Sequence, residues 1–566
     1  MSAAVDAAGL EADLAAAVAG EVRFSDGDRA LYATDGSNYR QVPIGVVVPR
    51  TVEDVVATVG ICRAHDAPVL SRGGGTSLAG QCCNVAVVID WSKYLRAVID
   101  VDPDRRTARV QPGCVLDDLR ERAGRHGLTF GPDPATNDHC TLGGMIGNNS
   151  CGVHAVMAGR TADNVRSLDV LTYDGCRMTV GPTDDAELQR ILAAGGGRAE
   201  SHRALLELRD AHADEIRARF PGIPRRVSGY NLDELLPENG FNVARALVGT
   251  EGTCVTVLGA ELDLIEDPPC KSLLVLGYPD VYSAGDHVPI VMSHGPTGCE
   301  GIDRHLFRLT RDKDLHPEAV RLMPDGDGWL IVEFGGATRE ESDEKARTLM
   351  KELADSAGAP TMKLFDDRRE EQMVWEVRES GLGATAHEPG GVNTWPGWED
   401  SAVAPDRVGN YLRDLRGIYD RYGYDASLYG HFGQGCIHTR IDFDLVTADG
   451  IRDFRSFLDD AADLVVSYGG SLAGEHGDGQ ARAELLPKMF GERLVRAFRE
   501  FKGIWDPDNR MNPGKVVDPN PVVSHLRLGT DYAPWEPVTF FGYPDDEHSF
   551  ARAGGLRCVG VGKCRR

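Results

Sequence analysis

Apolar residues in the first half of the chain fall in short runs broken by glycine turns. "IGVVVPRTVEDVVATVGICRAHDAPVLSRGGGTSLAG" predicts a short strand, a helix from about Thr51 with an acidic first turn, the strand "APVL" and a glycine-rich turn. "AVVIDW" follows as a further apolar run. "VIDVDPDRRTARVQPG" reads as two strands around an Asp-Pro-Asp turn and "VLDDLRERAGRHG" as a helix. "VRSLDVLTYDGCRMTVG" reads as a hairpin turning at Asp174-Gly175. From about Pro268 the glycines thin out. "KSLLVLGYPDVYSAGDHVPIVM", "GWLIVEFGGATREESDEKARTLMKELADSAG" and "APTMKLFDD" predict strand–helix–strand units, the helix around Glu340 to Ala357 facing solvent on one side. "WDPDNRMNPGKVVDPNPVV", Trp505 to Val523, marks the expected end of the compact part, and an extended segment with Pro534, Pro537 and Pro544 follows.

At 566 residues the chain is too long for one hydrophobic core, so two or three domains are expected. Its 61 Lys+Arg against 87 Asp+Glu give a net charge of -26, which argues against a nucleic-acid partner. A local basic pocket for an anionic substrate stays open. No apolar run reaches the length of a membrane span. The N-terminus "MSAAVDAAGLEADLAAAVAGEV" has acids and no basic n-region; it predicts an amphipathic helix and not a signal peptide. The chain has thirteen scattered cysteines, and the first eleven predict reduced, mostly buried thiols and a cytoplasmic protein; Cys558 and Cys564 are a separate matter.

Three glycine clusters carry candidate chemistry: "SRGGGTSLAGQ", "LGGMIGNNSCG" and "LVGTEGT". Such loops present backbone N–H groups with no side chains in the way, which suits a pyrophosphate. The first is neither G-x-x-x-x-G-K-[ST] nor a G-x-G-x-x-G that opens a helix. One loop alone is as readily a bare turn. Three in one α+β half point to a large phosphate-bearing cofactor wrapped by backbone. Further on, "LYGHFGQGCIHTRIDF" sets His431 and His438 seven residues apart, with Gly433 and Gly435 between them. Two interior glycines weaken a helix, and a straight strand would send the rings to opposite faces. A strand, glycine bend and return strand would aim both at one spot, as metal or acid/base work requires.

The order "RGGGTSLAGQ", "GPDPATNDHCTLGGMIGNNSCG", "VRSLDVLTYDG", "ALVGTEGT" resembles the FAD-binding domain of the vanillyl-alcohol-oxidase/PCMH superfamily. Within it, the FAD-linked D-2-hydroxyacid dehydrogenases fit best, over roughly residues 30–517. The resemblance implies an α+β fold: an N-terminal helix and PCMH-type FAD-binding domain over 1–267, an α+β substrate (cap) domain over 268–465, and a segment over 466–517 that returns to the FAD domain. It implies that Arg72, Gly73, Gly74, Gly75, Thr76 and Ser77 hold the FAD pyrophosphate. Pro132, Thr141, Gly143, Gly144, Gly147, Asn148 and Ser150 would line a second flavin loop, and Gly249, Glu251, Gly252 and Asn512 would lie near the flavin. No loop shows an attachment signature, so FAD is expected without a covalent link, with His154 the one possible tether.

"GGSLAGEHGDGQAR" places Glu475 and His476 side by side between glycines. A polar turn is the plain reading of it alone. With the two imidazoles it completes a three-ligand set, His431, His438 and Glu475, that leaves room for substrate, while His476 is free to act as general base. The resemblance assigns the same roles and implies zinc, with manganese as a substitute. The implied reaction oxidises a D-2-hydroxy acid to the 2-oxo acid, its hydride passing to flavin N5. D-2-hydroxyglutarate is the first expectation and D-lactate the second. Arg378 matches the family as an anchor for a substrate carboxylate. D-2-hydroxyglutarate dehydrogenases tend to carry a "Lys-x-Asp" segment where this chain has Trp398, Glu399 and Asp400. If His438 lies on a strand, Arg440 shares its face, and we expect it to face the substrate pocket and supply the missing charge for a dicarboxylate.

The chain closes on "GLRCVGVGKCRR", with Cys558 and Cys564 among glycines and arginines. Two cysteines cannot hold an Fe–S cluster alone. After a linker over 518–550, residues 551–566 resemble the opening of the [4Fe–4S] domain fused to large bacterial members of the family. That implies a longer protein passing electrons through the cluster to a quinone or an electron-transfer protein, and a homo-oligomer is expected. One rival is a non-redox transferase like alkyl-glycerone-phosphate synthase, whose histidine run is missing here. The other is a flavin-binding module without turnover, against which the Glu475-His476 pair argues.

Overall fold

The computed structural model describes residues 5–379, 381–388, 393–546, 548–556 and 558. Strands Gly45–Val48 and Val87–Asp90 are buried at every position, which is what strands covered on both faces show. They form the middle of a four-stranded sheet ordered Glu21–Arg23, Gly45–Val48, Val87–Asp90, Val69–Arg72, parallel except for the first pair. The helix between them, Val52–Ala64, opens on a capping box: the Thr51 side chain accepts from the Asp54 N–H and the Asp54 carboxylate accepts from the Thr51 N–H. Strand Val69–Arg72 runs straight into the first glycine loop. A second sheet is antiparallel throughout, ordered Val98–Asp102, Thr107–Val110, Thr256–Asp263, Val165–Leu171, Arg177–Val180. The two predicted turns, Asp-Pro-Asp and Asp174-Gly175, both join neighbouring strands here. Gly175 takes φ +93°, a conformation that favours glycine.

The second half is built on a seven-stranded antiparallel sheet: Thr361–Phe365, Cys270–Tyr278, Gly328–Gly336, Gly298–Asp303, Ala426–Gly430, Cys436–Ile441, Ser401–Ala402. Successive residues of its central strands enter different clusters. Leu274, Leu276, Leu330 and Val332 pack with Ala346, Leu349 and Leu353 of the helix Arg339–Ala354. Leu273, Val275, Trp329 and Ile331 pack with Leu306 and Leu309 of Arg304–Asp312 and with Val374 and Val377 of Arg368–Glu379. Helices on both faces explain why these strands read as continuous apolar runs rather than as alternating ones.

After this sheet the chain goes back to the first half. The helix Leu486–Trp505, interrupted at Gly491 (φ +74°), lies against the long helix Gly196–Arg219, with Phe220 and Phe490 ring centroids 5.1 Å apart. The N–H of Val69 then donates to the Arg510 carbonyl and the N–H of Asn512 to the Val69 carbonyl, each at 2.9 Å. Beyond residue 523, Trp535, Val538, Phe540 and Phe541 are exposed. Among the described residues every cysteine is a free thiol, and all but Cys558 are buried or half-buried. None of the described helices is long and apolar enough to cross a membrane.

The return is secured by a buried cation. Lys502 Nζ donates to the Thr253 carbonyl (2.6 Å), the Met511 carbonyl (3.1 Å) and Asp506 Oδ2 (2.7 Å). Removing it leaves Asp506 a buried carboxylate that keeps the N–H groups of Arg510 and Met511 and loses its lysine. Lys502→Ala should therefore cost about 3–5 kcal/mol, read as a lower urea midpoint; a midpoint within experimental error of the wild type contradicts this account.

Candidate functional site

Glycine makes the bend that the two histidines need. Gly430 sits at φ +146°, where a Cβ would come 2.5 Å from the Cys436 carbonyl oxygen. Gly435 sits at φ +73°, where one would come 1.8 Å from the Val403 carbonyl oxygen. Strands Ala426–Gly430 and Cys436–Ile441 pair antiparallel across this turn, and the His431 and His438 rings come to 5.0 Å between centroids. The Glu475-His476 segment has no regular structure and is held from outside. Asp400 Oδ2 accepts from the backbone N–H of Glu475 (2.5 Å) and of His476 (2.6 Å). The three glycine clusters hold its other side. The Gln81 amide donates to the His476 carbonyl (2.6 Å), and that of Asn148 to the Glu475 carbonyl (2.6 Å). Glu251 accepts from the N–H groups of Asp478 (2.8 Å) and Gly479 (2.9 Å).

The result is a convergence of ligand-type atoms. Glu475 Oε1 lies 3.4 Å from His431 Nε2, 3.5 Å from His438 Nε2 and 3.4 Å from His476 Nε2. Ligands about 2.0–2.2 Å from a tetrahedral zinc lie roughly 3.3–3.5 Å from one another, and the three distances from Glu475 Oε1 match that separation. The outer atoms are braced. His431 Nδ1 faces Glu300 Oε1 at 2.8 Å, and Glu300 Oε2 accepts from Arg378 Nε (2.9 Å) and pairs with its Nη2 (2.8 Å). Glu475 Oε2 accepts from Arg225 Nη1 at 2.7 Å, and Arg225 is fully buried. A carboxylate on the far nitrogen of a histidine fixes its tautomer and orientation for a metal. Burial pushes the His438 imidazole well below its usual range, toward the neutral form that ligates. Asp400, His438, Glu475 and His476 form an overlapping set with ligand atoms within 4.8 Å of one another. Asp400 is already engaged by two backbone N–H groups and, at 2.8 Å, by the Cys436 thiol, which leaves Glu475 and the imidazoles of His431, His438 and His476 as the groups that could hold a metal.

These groups line one end of a cavity of about 1050 Å³ whose other walls are the glycine loops. Residues Arg72 to Ser77 line it, as do Thr141, Gly143, Gly144, Gly147, Asn148, Ser150, Glu251 and Gly252. A Cβ on Gly147 would meet nothing within 4 Å, so this bare backbone faces open space. Arg72 spends Nη1 and Nη2 on the carbonyls of Tyr32, Cys82 and Thr34, while its buried Nε has no partner. An orphaned donor beside bare backbone fits a cofactor phosphate. Pro132, Gly249 and Asn512 do not line the cavity. Asn512 instead donates its amide to the carbonyls of Gln81 (3.0 Å) and Glu251 (2.9 Å), joining the first and third loops.

Two expected roles change in the structure. His154 cannot readily serve as a flavin tether, because Nδ1 is 2.5 Å from Asp133 Oδ2 and Nε2 is 2.9 Å from Glu333 Oε1. Arg440 shares the face of His438 as expected, but it is not on the cavity wall. Its partner Glu399 is, with Oε1 2.5 Å from Arg440 Nε. Arg225, Glu300, Glu399 and Asp400 were not singled out as site residues from the sequence. Glu300 alone left a signal: an acid inside "GCEGID", a strand buried at all six positions.

The family model described as "FAD binding domain" matches residues 43–181, and "FAD linked oxidases, C-terminal domain" matches 267–516. A D-2-hydroxyglutarate dehydrogenase of Pseudomonas putida is 32% identical over 560 residues, 96% of this chain and 55% of that protein. Glycolate oxidase subunit GlcD of Bacillus subtilis is 25% identical over 88% of this chain and 95% of its own. The chain spans about half the length of the D-2-hydroxyglutarate dehydrogenases it matches. The structure of p-cresol methylhydroxylase with substrate bound superposes with a TM-score of 0.62 at 15% identity, covering 90% of this chain and 96% of that one. At that identity the likeness carries the fold alone: an α+β, PCMH-type FAD-binding fold.

Acid precipitation should release the flavin into the supernatant, since both nitrogens of His154 are engaged; colour in the pellet would show a tether. The same clamp predicts a pH dependence. Burial alone would push the His154 imidazole down, but Asp133 and Glu333 outweigh it and raise it from 6.5 to about 10. Burial alone would push the Glu333 carboxyl up, but His154 and Lys271 bring it from 4.5 to about 2. The imidazolium contributes fully below pH 6.5 and is lost as pH rises through about 10; the carboxylate contributes fully above pH 4.5 and is lost as pH falls through about 2. His154→Gln should lower the melting temperature most between pH 4.5 and 6.5, and the gap should close toward about pH 10. A gap independent of pH would remove the charge from this account.

Proposed function

The chain carries an FAD-binding domain and the C-terminal domain of FAD-linked oxidases, and on that premise we propose that it oxidises a 2-hydroxy acid to the 2-oxo acid. The substrate candidate brought by the relatives' names is D-2-hydroxyglutarate, with D-lactate second. The observation that carries the reading is the meeting of three imidazole Nε2 atoms on one carboxylate oxygen, in the same cavity as the glycine loops. His431, His438 and Glu475 would hold a divalent metal, zinc or manganese, which when bound acidifies a substrate hydroxyl. FAD, when bound along the glycine loops, is the two-electron acceptor.

The residues of the chain do the rest. His476 would take the hydroxyl proton at Nε2, the atom 3.4 Å from Glu475 Oε1. Asp400 fixes the backbone on which Glu475 and His476 stand. Arg378, lying 5.2 Å over the Tyr429 ring and paired with Glu300, gives the cavity a positive wall for the substrate's C1 carboxylate. Its guanidinium keeps donors beyond those given to Glu300. Glu300, Arg378, His431, His438 and Glu475 are buried, which strengthens the contacts among them. In a protein as long as the relatives, electrons would leave through a [4Fe–4S] domain outside these 566 residues, to a quinone or an electron-transfer protein. Cys558 is exposed and available for such a cluster, and Cys564 lies outside the described residues.

Anaerobic titration with a panel of D- and L-2-hydroxy acids tests the reaction. Flavin absorbance should bleach with D-2-hydroxyglutarate or D-lactate and not with their L-forms; no bleaching with any acid overturns the proposal. Chelation, or His438→Ala, should abolish turnover and leave FAD bound. Full activity after verified metal removal would exclude the three-ligand set. His476→Ala should keep the metal and slow flavin reduction by about a hundredfold.

A further inference from the structure

One corner of the cavity holds polar atoms that the protein itself does not satisfy. Glu399 lines the wall, and both it and Arg440 are 3% exposed. Their ion pair is close, Nε to Oε1 2.5 Å, but neither atom makes a well-directed hydrogen bond. Arg440 Nη2 has no partner, and neither does His476 Nδ1, which is 3.6 Å from Glu399 Oε2. Buried polar atoms are nearly always satisfied, so Arg440 Nη2 and His476 Nδ1, the two left over beside this ion pair, mark the corner as one that a bound molecule can complete.

The charge arrangement says what kind of molecule. Arg378 is paired with Glu300, Arg225 with Glu475 and Arg440 with Glu399. Arg440 is thus neutralised by a carboxylate that stands on the cavity side of it. A second substrate carboxylate reaching this corner meets Glu399 before it meets Arg440. A hydroxyl or other neutral group can donate to Glu399 without that repulsion. We propose that Glu399 is a specificity-determining residue: by holding Arg440, it sets how strongly the site discriminates between dicarboxylate and monocarboxylate ligands. This rests on the 2-hydroxy-acid reading for the position of the ligand, but it concerns binding and needs no turnover.

The test uses the FAD-loaded protein and two acids without a 2-hydroxyl, glutarate and butyrate, with binding read from the perturbed flavin spectrum. In the wild type glutarate should bind no better than butyrate. Glu399→Gln keeps the shape of the side chain and frees the guanidinium, so glutarate should gain about tenfold or more while butyrate stays unchanged. Adding Arg440→Gln should cancel the gain, since the two residues act as one unit. Arg440→Gln alone, which leaves Glu399 unopposed, should move the glutarate-to-butyrate ratio the other way. This single variant keeps the test decisive if Glu399→Gln does not retain FAD. A ratio that moves in neither variant, or a gain that survives the loss of Arg440, overturns the proposal. Failure of every hydroxy acid to bleach the flavin would fall on the reaction and leave these binding ratios to be read by themselves.

Discussion

A single guanidinium holds the site together. Arg225, fully buried, donates from Nη1 to Glu475 at 2.7 Å and from Nε to Gln434 Oε1 at 2.8 Å, and its Nη2 meets the Gly152 carbonyl. Those three partners belong to the Glu475-His476 segment, the turn of the histidine hairpin and the end of the second glycine cluster. Taking a carboxylate and a guanidinium out of water costs several kcal/mol each, and only close pairing with satisfied neighbours offsets it. That requirement fixes position: Glu475 cannot move away from the three imidazoles without stranding Arg225. Around it, the same rule repeats with Arg378 and Glu300, and with His154 between Asp133 and Glu333. Buried charge thus positions the site and joins the glycine-loop half of the molecule to the half built on the seven-stranded sheet.

The glycine clusters serve two tasks at once. Their backbone faces the cavity, while the side chains of Gln81, Asn148 and Glu251 point at the Glu475-His476 segment. A loop that bound only a phosphate would not need these side chains. Because the same three loops do both, the cofactor space and the histidine cluster are set at a fixed separation by direct hydrogen bonds rather than by the packing of distant domains.

Much of this was legible in the sequence where the information is local. The capped helix after Thr51, the hairpin at Asp174-Gly175 and the strand–bend–strand around His431 and His438 follow from periodicity and from glycines in positions that demand them. The histidine spacing could be read as convergence because a bend between two strands is the one local shape that satisfies it. Partners drawn from distant segments could not be read. Glu300 meets His431 across 131 positions of sequence, and Arg225 meets Glu475 across 250. No local pattern encodes such pairings. Arg440 shows the other limit. Its shared face with His438 was legible, but Glu399 decides whether that face opens on the cavity, and a pattern along one strand cannot show what stands in front of it. Asn512 looked like a cofactor contact and proves to be a tie between loops, because the closing of the chain on itself is a tertiary fact.

That closure has a consequence for how the protein is made. Strand Val69–Arg72 has the Arg510–Asn512 backbone as its neighbour, and Asn512 joins the first and third glycine loops. A ribosome adding about 5–20 residues per second needs roughly 20 to 90 seconds to travel from the first loop to that asparagine. Throughout that interval the nascent first half has its sheet edge uncovered and its loops untied. The glycine loops therefore cannot reach their final shape until Asn512 has been added. Assembly of the cavity waits for Asn512, and a chain released before that residue would carry all three glycine clusters and lack a finished pocket.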